Sequence, residues 1–351
     1  MPVNEQKLMD FVGKAVGDVG AALSAALVVI GDKLGLYKAL AASGPLTPAE
    51  LGKKTGTAER YVREWLCNQA AGGYIAYDAK AGKFFLPAEQ AVALADESSP
   101  FFLPGAFQGM TAAMRATPKI LESFRTGRGL DWSEHDPDLF EGTERFFRPN
   151  YVCNLVKSWI PSLEGVGNKL REGASVADVG CGHGASTLLM AKAFPQSKFV
   201  GFDYHGPSIE TARSRAKLAG LANASFEVAP ASGFPGKGYD LVAFFDCLHD
   251  MGDPVTAAAH TLETLDRDGT CMVVEPFAND RMEENFNPVG RVFYGASTLI
   301  CTPASLAQKG AMALGAQAGE ARMKEVFMKA GFKRFRRATE TPFNLVLEAR
   351  P

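Results

Sequence analysis

Cysteine is sparse in this chain, with six in 351 residues, and the six are scattered. Cys67, Cys153, Cys181, Cys247, Cys271 and Cys301 include no C-x-x-C pair, which argues against a zinc knuckle and against a disulfide framework. A reducing, cytoplasmic compartment is the expectation. An excess of charge of either sign is also missing: Lys and Arg total 37 against 39 acidic residues, a net charge of -2. Nothing global draws the chain to nucleic acid or to an acidic membrane. The N-terminus has no basic segment followed by a long apolar core. Its most apolar stretch, AALSAALVVI over Ala21 to Ile30, is too short to cross a bilayer and reads as a buried helix. Internal repeats and low-complexity tracts are absent.

What is present suits two domains and a sizeable core: 46% of residues are hydrophobic and 22% charged. In the first part, Thr47 and Glu50 have capping-box spacing and Pro48 fits the first helical position, so a short helix starts there. A second helix runs from about Ala58, with Tyr61, Val62, Trp65 and Leu66 at helical spacing, and Gly72 and Gly73 end it before a strand around Tyr74 to Tyr77. Helix, turn, helix and hairpin suggest a winged helix. Such a module can bind DNA, but Arg60 and Arg63 are balanced by Glu59 and Glu64, a poor match for phosphate. A packing and dimerisation module is the preferred reading, with the segment around Phe11 to Leu27 as a partner surface and a homodimer as the assembly.

Residues 101–170 carry helical stretches and the aromatic-rich LFEGTERFFRPNYVCNLVKSWIP, a bridge between two parts. Beyond Glu172 the pattern changes. SVADVG, SKFVGF, ASFEVA, YDLVAFF and GTCMVVE are short apolar runs, most separated by helix-like stretches, the alternation of a doubly wound parallel sheet. FKRFRRATETPFNLVLEAR then closes the chain with two strands around a short turn, an antiparallel pair at a sheet edge.

In such sheets, ligands sit at the carboxyl ends of strands, and the first strand-to-helix turn is the usual place. Here that turn reads VADVGCGHG. Gly180, Gly182 and Gly184 let a ligand approach the backbone, and the next helix supplies amide donors. Asp203 ends the second strand about 20 residues downstream, where a carboxylate hydrogen-bonds the ribose of a nucleoside cofactor. Two ligands compete: a nicotinamide dinucleotide and S-adenosylmethionine. The spacing G-x-G-x-G, with Asp178 inside the strand, departs from the dinucleotide fingerprint G-x-G-x-x-G.

At these residues the sequence resembles the class I S-adenosylmethionine-dependent methyltransferases, through VADVGCGHGAST, Asp203, YDLVAFFDCLHDMGDP and the terminal hairpin. The N-terminal half extends the resemblance to bacterial and plant-type small-molecule methyltransferases with a winged-helix dimerisation domain. It implies an α/β fold: a Rossmann-like seven-stranded sheet with an antiparallel C-terminal hairpin over 171–351, preceded by a mainly helical winged-helix domain over 1–100. The bridge over 101–170 would contribute to the substrate pocket, and EPFANDRMEENFNPVGRVFYGASTLICTP, within a segment near 276–319, would cap it. S-adenosylmethionine is the implied cofactor, with no metal. Gly180, Gly182 and Gly184 would pass beneath its methionine and ribose, Asp203 would hold both ribose hydroxyls, and Asp178 would meet the amino group or else cap backbone donors. Ser232 and Gly233, small residues where the family commonly has an acid, would contact adenine, and Asp246 and Cys247 would lie beside the cofactor, Cys247 as a small packing residue.

A hydroxyl acceptor needs its proton removed. His249, in CLHDMGD, resembles the catalytic histidine of the L-H-D-W-x-D motif of O-methyltransferases, with Met251 replacing tryptophan, and Glu275 matches the acid that orients it. The plainer alternatives are a histidine satisfied locally by Asp250 or Asp253 and a glutamate bonded to nearby backbone. On the substrate side, Phe146, Phe147, Arg148, Tyr151, Arg291, Phe293 and Tyr294 are candidates, the arginines for an acidic group. Their alternative is interdomain core, or salt bridges to Glu144, Glu283 or Glu284. Methyl transfer to a hydroxyl of a small molecule leads. An N- or S-methyltransferase, a ligand-sensing winged-helix transcription factor and a nicotinamide dehydrogenase are the competing readings.

Overall fold

The computed structural model describes residues 3–351 and divides into two compact units. The described residues up to Thr111, with Glu141–Pro149, form the first, and Ala112–Phe140 with Asn150–Pro351 form the second. The stretch 101–170 is therefore shared between units.

The first unit comprises α1 (Glu5–Lys33), α2 (Leu36–Ser43), α3 (Pro48–Thr55), α4 (Glu59–Ala71) and a hairpin of β1 (Ala76–Asp78) and β2 (Lys83–Phe85), followed by further helical segments. The capping box is formed: Glu50 N–H donates to Thr47 Oγ1 at 3.2 Å and Thr47 N–H to a Glu50 carboxylate oxygen at 2.7 Å. The strand begins two residues later than its aromatic run suggests, because Gly72 to Ile75 are spent closing α4. Tyr37, Leu40, Leu51, Val62, Trp65 and Leu66 form the core. Gly31 lets α1 lie against Trp65; a Cβ there would stand 2.5 Å from the indole ring. The arginines of α4 are spent within the helix, Arg60 on Glu64 and Arg63 on Glu59.

The apolar stretch Ala21–Ile30 departs from expectation. It is one part of the 29-residue α1, carried through its polar half by a Lys14–Asp18 pair one turn apart. By length and composition α1 is long and apolar enough to cross a bilayer, with a window of mean hydropathy 1.6. Nor is it a buried helix: one face buries Ser24, Ala25, Val28 and Gly31, while Leu8, Val12, Val16, Val19, Leu23 and Ile30 on the opposite face are exposed. It is apolar on two sides, and its own unit covers one of them.

The second unit is built on seven strands: β3 (Ser175–Val179), β4 (Lys198–Asp203), β5 (Ala224–Val228), β6 (Tyr239–Phe245), β7 (Leu265–Pro276), β8 (Arg334–Glu340) and β9 (Asn344–Arg350). Their order is β5-β4-β3-β6-β7-β9-β8, parallel except for β9, which runs antiparallel to β7 and β8. The fold class read from the sequence, including the antiparallel closing pair, is the one observed. The central strands are apolar almost throughout because both faces are covered. The edge strand β8 instead carries Arg334, Arg336 and Arg337, which keeps it from pairing with another edge. Strand order reverses at β3, so the crevice for a ligand opens at the carboxyl ends of β3, β4 and β6.

Candidate active site

The three glycines after β3 do different things. All have left-handed backbone, with φ between 53° and 81°. A Cβ on Gly180 would lie 2.6 Å from Cys247 Sγ, and one on Gly184 would lie 2.8 Å from the Phe226 ring, so both are forced by packing within the protein. Gly182 has nothing within 4 Å of that position, and its backbone is the open one. Its N–H donates to Asp203 Oδ2 at 2.9 Å while the His205 N–H donates to Oδ1 at 2.8 Å. Asp203 thus pins two loops together and keeps lone pairs on both oxygens. Burial pushes its carboxyl above the usual range, against those two donors.

Asp178, at the end of β3, is buried to 1% exposure. Its Oδ2 accepts from Ser186 and Thr187 hydroxyls, both at 2.6 Å, and its Oδ1 has no partner. Burial raises its pKa to about 6 in spite of the hydroxyls. A buried carboxylate oxygen with no donor suits a positively charged or N–H-bearing ligand group.

The second half of the site lies at the ends of β6 and β7. His249 sits in a tight turn after β6 and is 4% exposed. Its Nδ1 hydrogen-bonds Glu275 Oε2, and Glu275 Oε1 accepts the Leu248 N–H at 3.0 Å. In the neutral imidazole the carboxylate fixes Nδ1 as the protonated nitrogen and leaves Nε2 as the acceptor, facing Cys301 Sγ at 3.2 Å. Burial alone would lower the pKa of this imidazole, but the neighbouring Glu275 charge, together with Cys301, holds it well above the ordinary value. The local alternative fails. Asp250 accepts from the Trp132 indole N–H at 2.9 Å, and Asp253 caps the helix Pro254–Thr264 through Thr256. The turn is clasped by the distal segment: Gln308 donates to the Asp250 carbonyl, Ser305 to the Met251 carbonyl and the Gly315 N–H to the His249 carbonyl. A histidine held on both ring and backbone has little freedom to leave its place.

Asp246 and Cys247 join the two halves. Cys247 packs on Gly180 and its thiol, kept protonated by burial, donates to the Val179 carbonyl at 3.2 Å. Asp246 has φ +51°, strained for a residue with a Cβ, and its side chain is committed within the protein: Tyr151 Oη lies 2.7 Å from Oδ2 and Asn344 Nδ2 donates to Oδ1 at 2.8 Å. Ser232 and Gly233 lie in the exposed turn after β5. On the substrate side, Tyr151 reaches the site through Asp246. Phe147 and Arg148 belong to the first unit, where Phe147 packs on Phe146 and Arg148 is exposed. Arg291 is exposed on the helix Pro288–Ala296, Tyr294 is half-buried and Phe293 is core. Glu283 and Glu284 pair with Arg281. Sequence reasoning missed Ser186, Thr187, Trp132, Asn344 and Cys301. For Ser186 and Thr187 a signal existed, since hydroxyls eight and nine residues beyond a strand-end acid lie on the first turn of the next helix.

Comparison with known proteins matches this division. Residues 170–331 match the family model of a methyltransferase domain, and residues 21–96 that of the Rv2258c-like winged HTH domain. Trans-aconitate 2-methyltransferase of Afipia carboxidovorans is 32% identical over 106 residues, 30% of this chain and 40% of that protein. The tRNA (guanine-N(7)-)-methyltransferase of Shewanella sp. (strain W3-18-1) is 40% identical over 53 residues, 15% of this chain and 22% of that protein, so the chain spans less than half the length of these relatives. Among solved structures, mitomycin 7-O-methyltransferase MmcR superposes with a TM-score of 0.71 at 21% identity, covering 99% of this chain and 100% of that one. Human N-acetylserotonin methyltransferase in complex with S-adenosylmethionine gives 0.72 at 16%, covering 99% and 98%. At such identities the likeness is one of fold.

The buried acids predict a pH dependence. Burial raises Asp246 from 3.8 to about 8, so the folded protein holds this proton more tightly than the unfolded chain. The stability it contributes is complete below about pH 4 and is lost as pH rises through about 8, by at most about 1.4 kcal/mol per pH unit. Asp246→Asn copies the protonated form. Thermal melts should show little difference between variant and parent below about pH 4, and a lead for the variant that grows from there to about pH 8; parallel pH profiles would refute the assignment.

Proposed function

We propose that this chain, which belongs to the S-adenosylmethionine-dependent methyltransferases with a winged-helix domain ahead of the catalytic one, methylates a hydroxyl of a small molecule with His249 as general base. The observation that carries the reading is the His249–Glu275 pair, at the carboxyl ends of the neighbouring strands β6 and β7, of which β6 lies beside the strand that leads into the glycine turn. The cofactor fits the residues present. The orphaned Asp178 Oδ1 suits the ammonium of its methionine part, the free lone pairs of Asp203 suit two ribose hydroxyls, and the open face of Gly182 allows close approach. Ser232 and Gly233 would border the adenine. When bound, S-adenosylmethionine supplies a methyl group on a sulfonium, already activated for displacement. The chain's own task is alignment and proton removal. An acceptor O–H within hydrogen-bond reach of Nε2 gives up its proton there, and Glu275 stabilises the imidazolium that results. Arg291, Tyr151 and Tyr294 remain the candidates for holding the acceptor.

Calorimetric titration with S-adenosylhomocysteine and, separately, NAD tests the cofactor. The first should bind and the second should not, and Asp203→Ala should weaken binding at least about 10-fold, the worth of a charge-assisted hydrogen bond. Folded protein that binds only NAD would end the methyltransferase reading.

A ladder of phenol, amine and thiol acceptors tests the base. Phenols should be methylated by the parent, and His249→Gln should lower kcat about 10²- to 10⁴-fold with S-adenosylhomocysteine affinity intact. Methylation of amines or thiols alone, indifferent to His249→Gln, would instead mark an N- or S-methyltransferase.

We further propose a homodimer in which the exposed face of α1 is covered by a second copy. Six apolar side chains align there, on the side opposite the buried one, while the arginines of α4 are neutralised within the helix and leave little for DNA phosphate. Val16→Glu combined with Leu23→Glu should reduce the sedimentation mass from twice the 37.5 kDa chain to once that value; a parent that already sediments as a monomer would exclude the dimer.

A further inference from the structure

The side chain facing the free nitrogen of His249 is a thiol. Cys301 ends a single π-helical turn, Ser297–Cys301, set between the helices Pro288–Ala296 and Thr302–Ala307. Such a turn inserts one residue into the helical repeat and re-aims the side chains beyond it, and such insertions gather at functional sites. Here it brings Sγ to 3.2 Å from Nε2. The Gly315 N–H bond to the His249 carbonyl and the Ala316 N–H bond to Ser297 Oγ tie the histidine turn and the π turn to one short segment, so the approach is built in from both ends. Four groups act on the imidazole: Glu275 on Nδ1, Cys301 on Nε2, and Asp246 and Asp250 from the same strand end. Once the imidazole is neutral, with Nδ1 donating to Glu275, Nε2 is an acceptor, and Cys301 then meets it by donating its S–H.

We propose that Cys301 is a positioning and specificity-determining residue: its S–H stands on Nε2 where the acceptor's O–H must stand, and an acceptor reaches the base only by replacing it. This rests on the reading of His249 as base. Burial keeps the Cys301 thiol above its ordinary range, so the S–H form is the one present. A thiol is a weak donor. A phenol or alcohol, a stronger one, displaces it at a gain, whereas a ligand with no donor at that point, such as an ether or a ketone, leaves Nε2 unpaired and is disfavoured. The thiol also holds the neutral imidazole in the tautomer that accepts at Nε2 while no acceptor is bound.

The test reads His249 directly. Protein labelled with ¹⁵N-histidine, saturated with S-adenosylhomocysteine, carries five histidines, and His249→Gln assigns the one of interest. At a pH above the raised imidazole pKa, located by titrating the same resonance, Cys301→Ala should move the Nε2 signal towards that of an unbonded lone pair, and Cys301→Ser should restore the bonded position. With the best phenol of the ladder, KM should fall about 2- to 10-fold in Cys301→Ala at nearly unchanged kcat, the competing hydrogen bond having been removed. An Nε2 resonance indifferent to Cys301→Ala would overturn the proposal, and so would a rise in KM, which packing alone would produce. If His249→Gln still methylates phenols, the base reading fails on its own evidence, and the Nε2 resonance still decides where the thiol donates.

Discussion

Five carboxyl groups are gathered at one end of the sheet, and among the described residues none is paired with lysine or arginine. Asp178, Asp203, Asp246, Asp250 and Glu275 are held instead by hydroxyls, backbone N–H groups, an amide, an indole and an imidazole. Burying acids without cations is costly, and the cost appears as raised pKa values, to about 6 for Asp178 and Asp250 and about 8 for Asp246. Folding tolerates this because Asp178, Asp203, Asp246 and Glu275 stand at or beside the ends of strands with a buried apolar body, and Asp250 in the turn that follows β6, so the sheet core supplies stability that the site consumes. A ligand bearing positive charge is what such a cluster lacks, and a sulfonium with an ammonium on the same molecule provides two.

The same constraint explains the neutral donors around the site. A lysine beside Asp178 would satisfy its empty oxygen and close the site to a ligand ammonium; hydroxyls from Ser186 and Thr187 satisfy one oxygen and leave the other. Near His249, an arginine on Glu275 would compete for the carboxylate that fixes the Nδ1 proton. Neutral partners therefore hold geometry without discharging the acids, which is the requirement of a preorganised site.

Much of this was legible in the sequence. The strand runs, the glycine turn and Asp203 follow from local pattern plus the rules of parallel sheets, and the His249–Glu275 juxtaposition from the resemblance to O-methyltransferases, because each depends on a residue at or near a strand end. What was not legible depends on distant chain. Trp132 meets Asp250 from 118 positions away and Asn344 meets Asp246 from 98, and no periodicity announces either. Cys301 was hidden by a different cause: its aim is set by a π-helical turn, and a reading in steps of 3.6 residues misplaces whatever such a turn carries. The misjudged face of α1 has a third. A helix apolar on two sides looks, by composition, like one buried on both.

That second face and the acid cluster are alike in kind. Each is a place where the folded chain leaves a favourable interaction unmade, apolar area in one case and carboxylate charge in the other. Native folds hold only a few kcal/mol in reserve, so omissions of this sort persist where something outside the chain completes them. The two completions differ in consequence. Apolar area needs a surface of matching shape, and a second copy offers the same stripe of Leu, Val and Ile in return. Five buried acids need charge at fixed points, and a small cationic cofactor brings it without importing another chain's side chains. The stability each would add scales with the logarithm of its partner's concentration, so the proposed dimer and the loaded site would respond to separate quantities, chain concentration and cofactor supply.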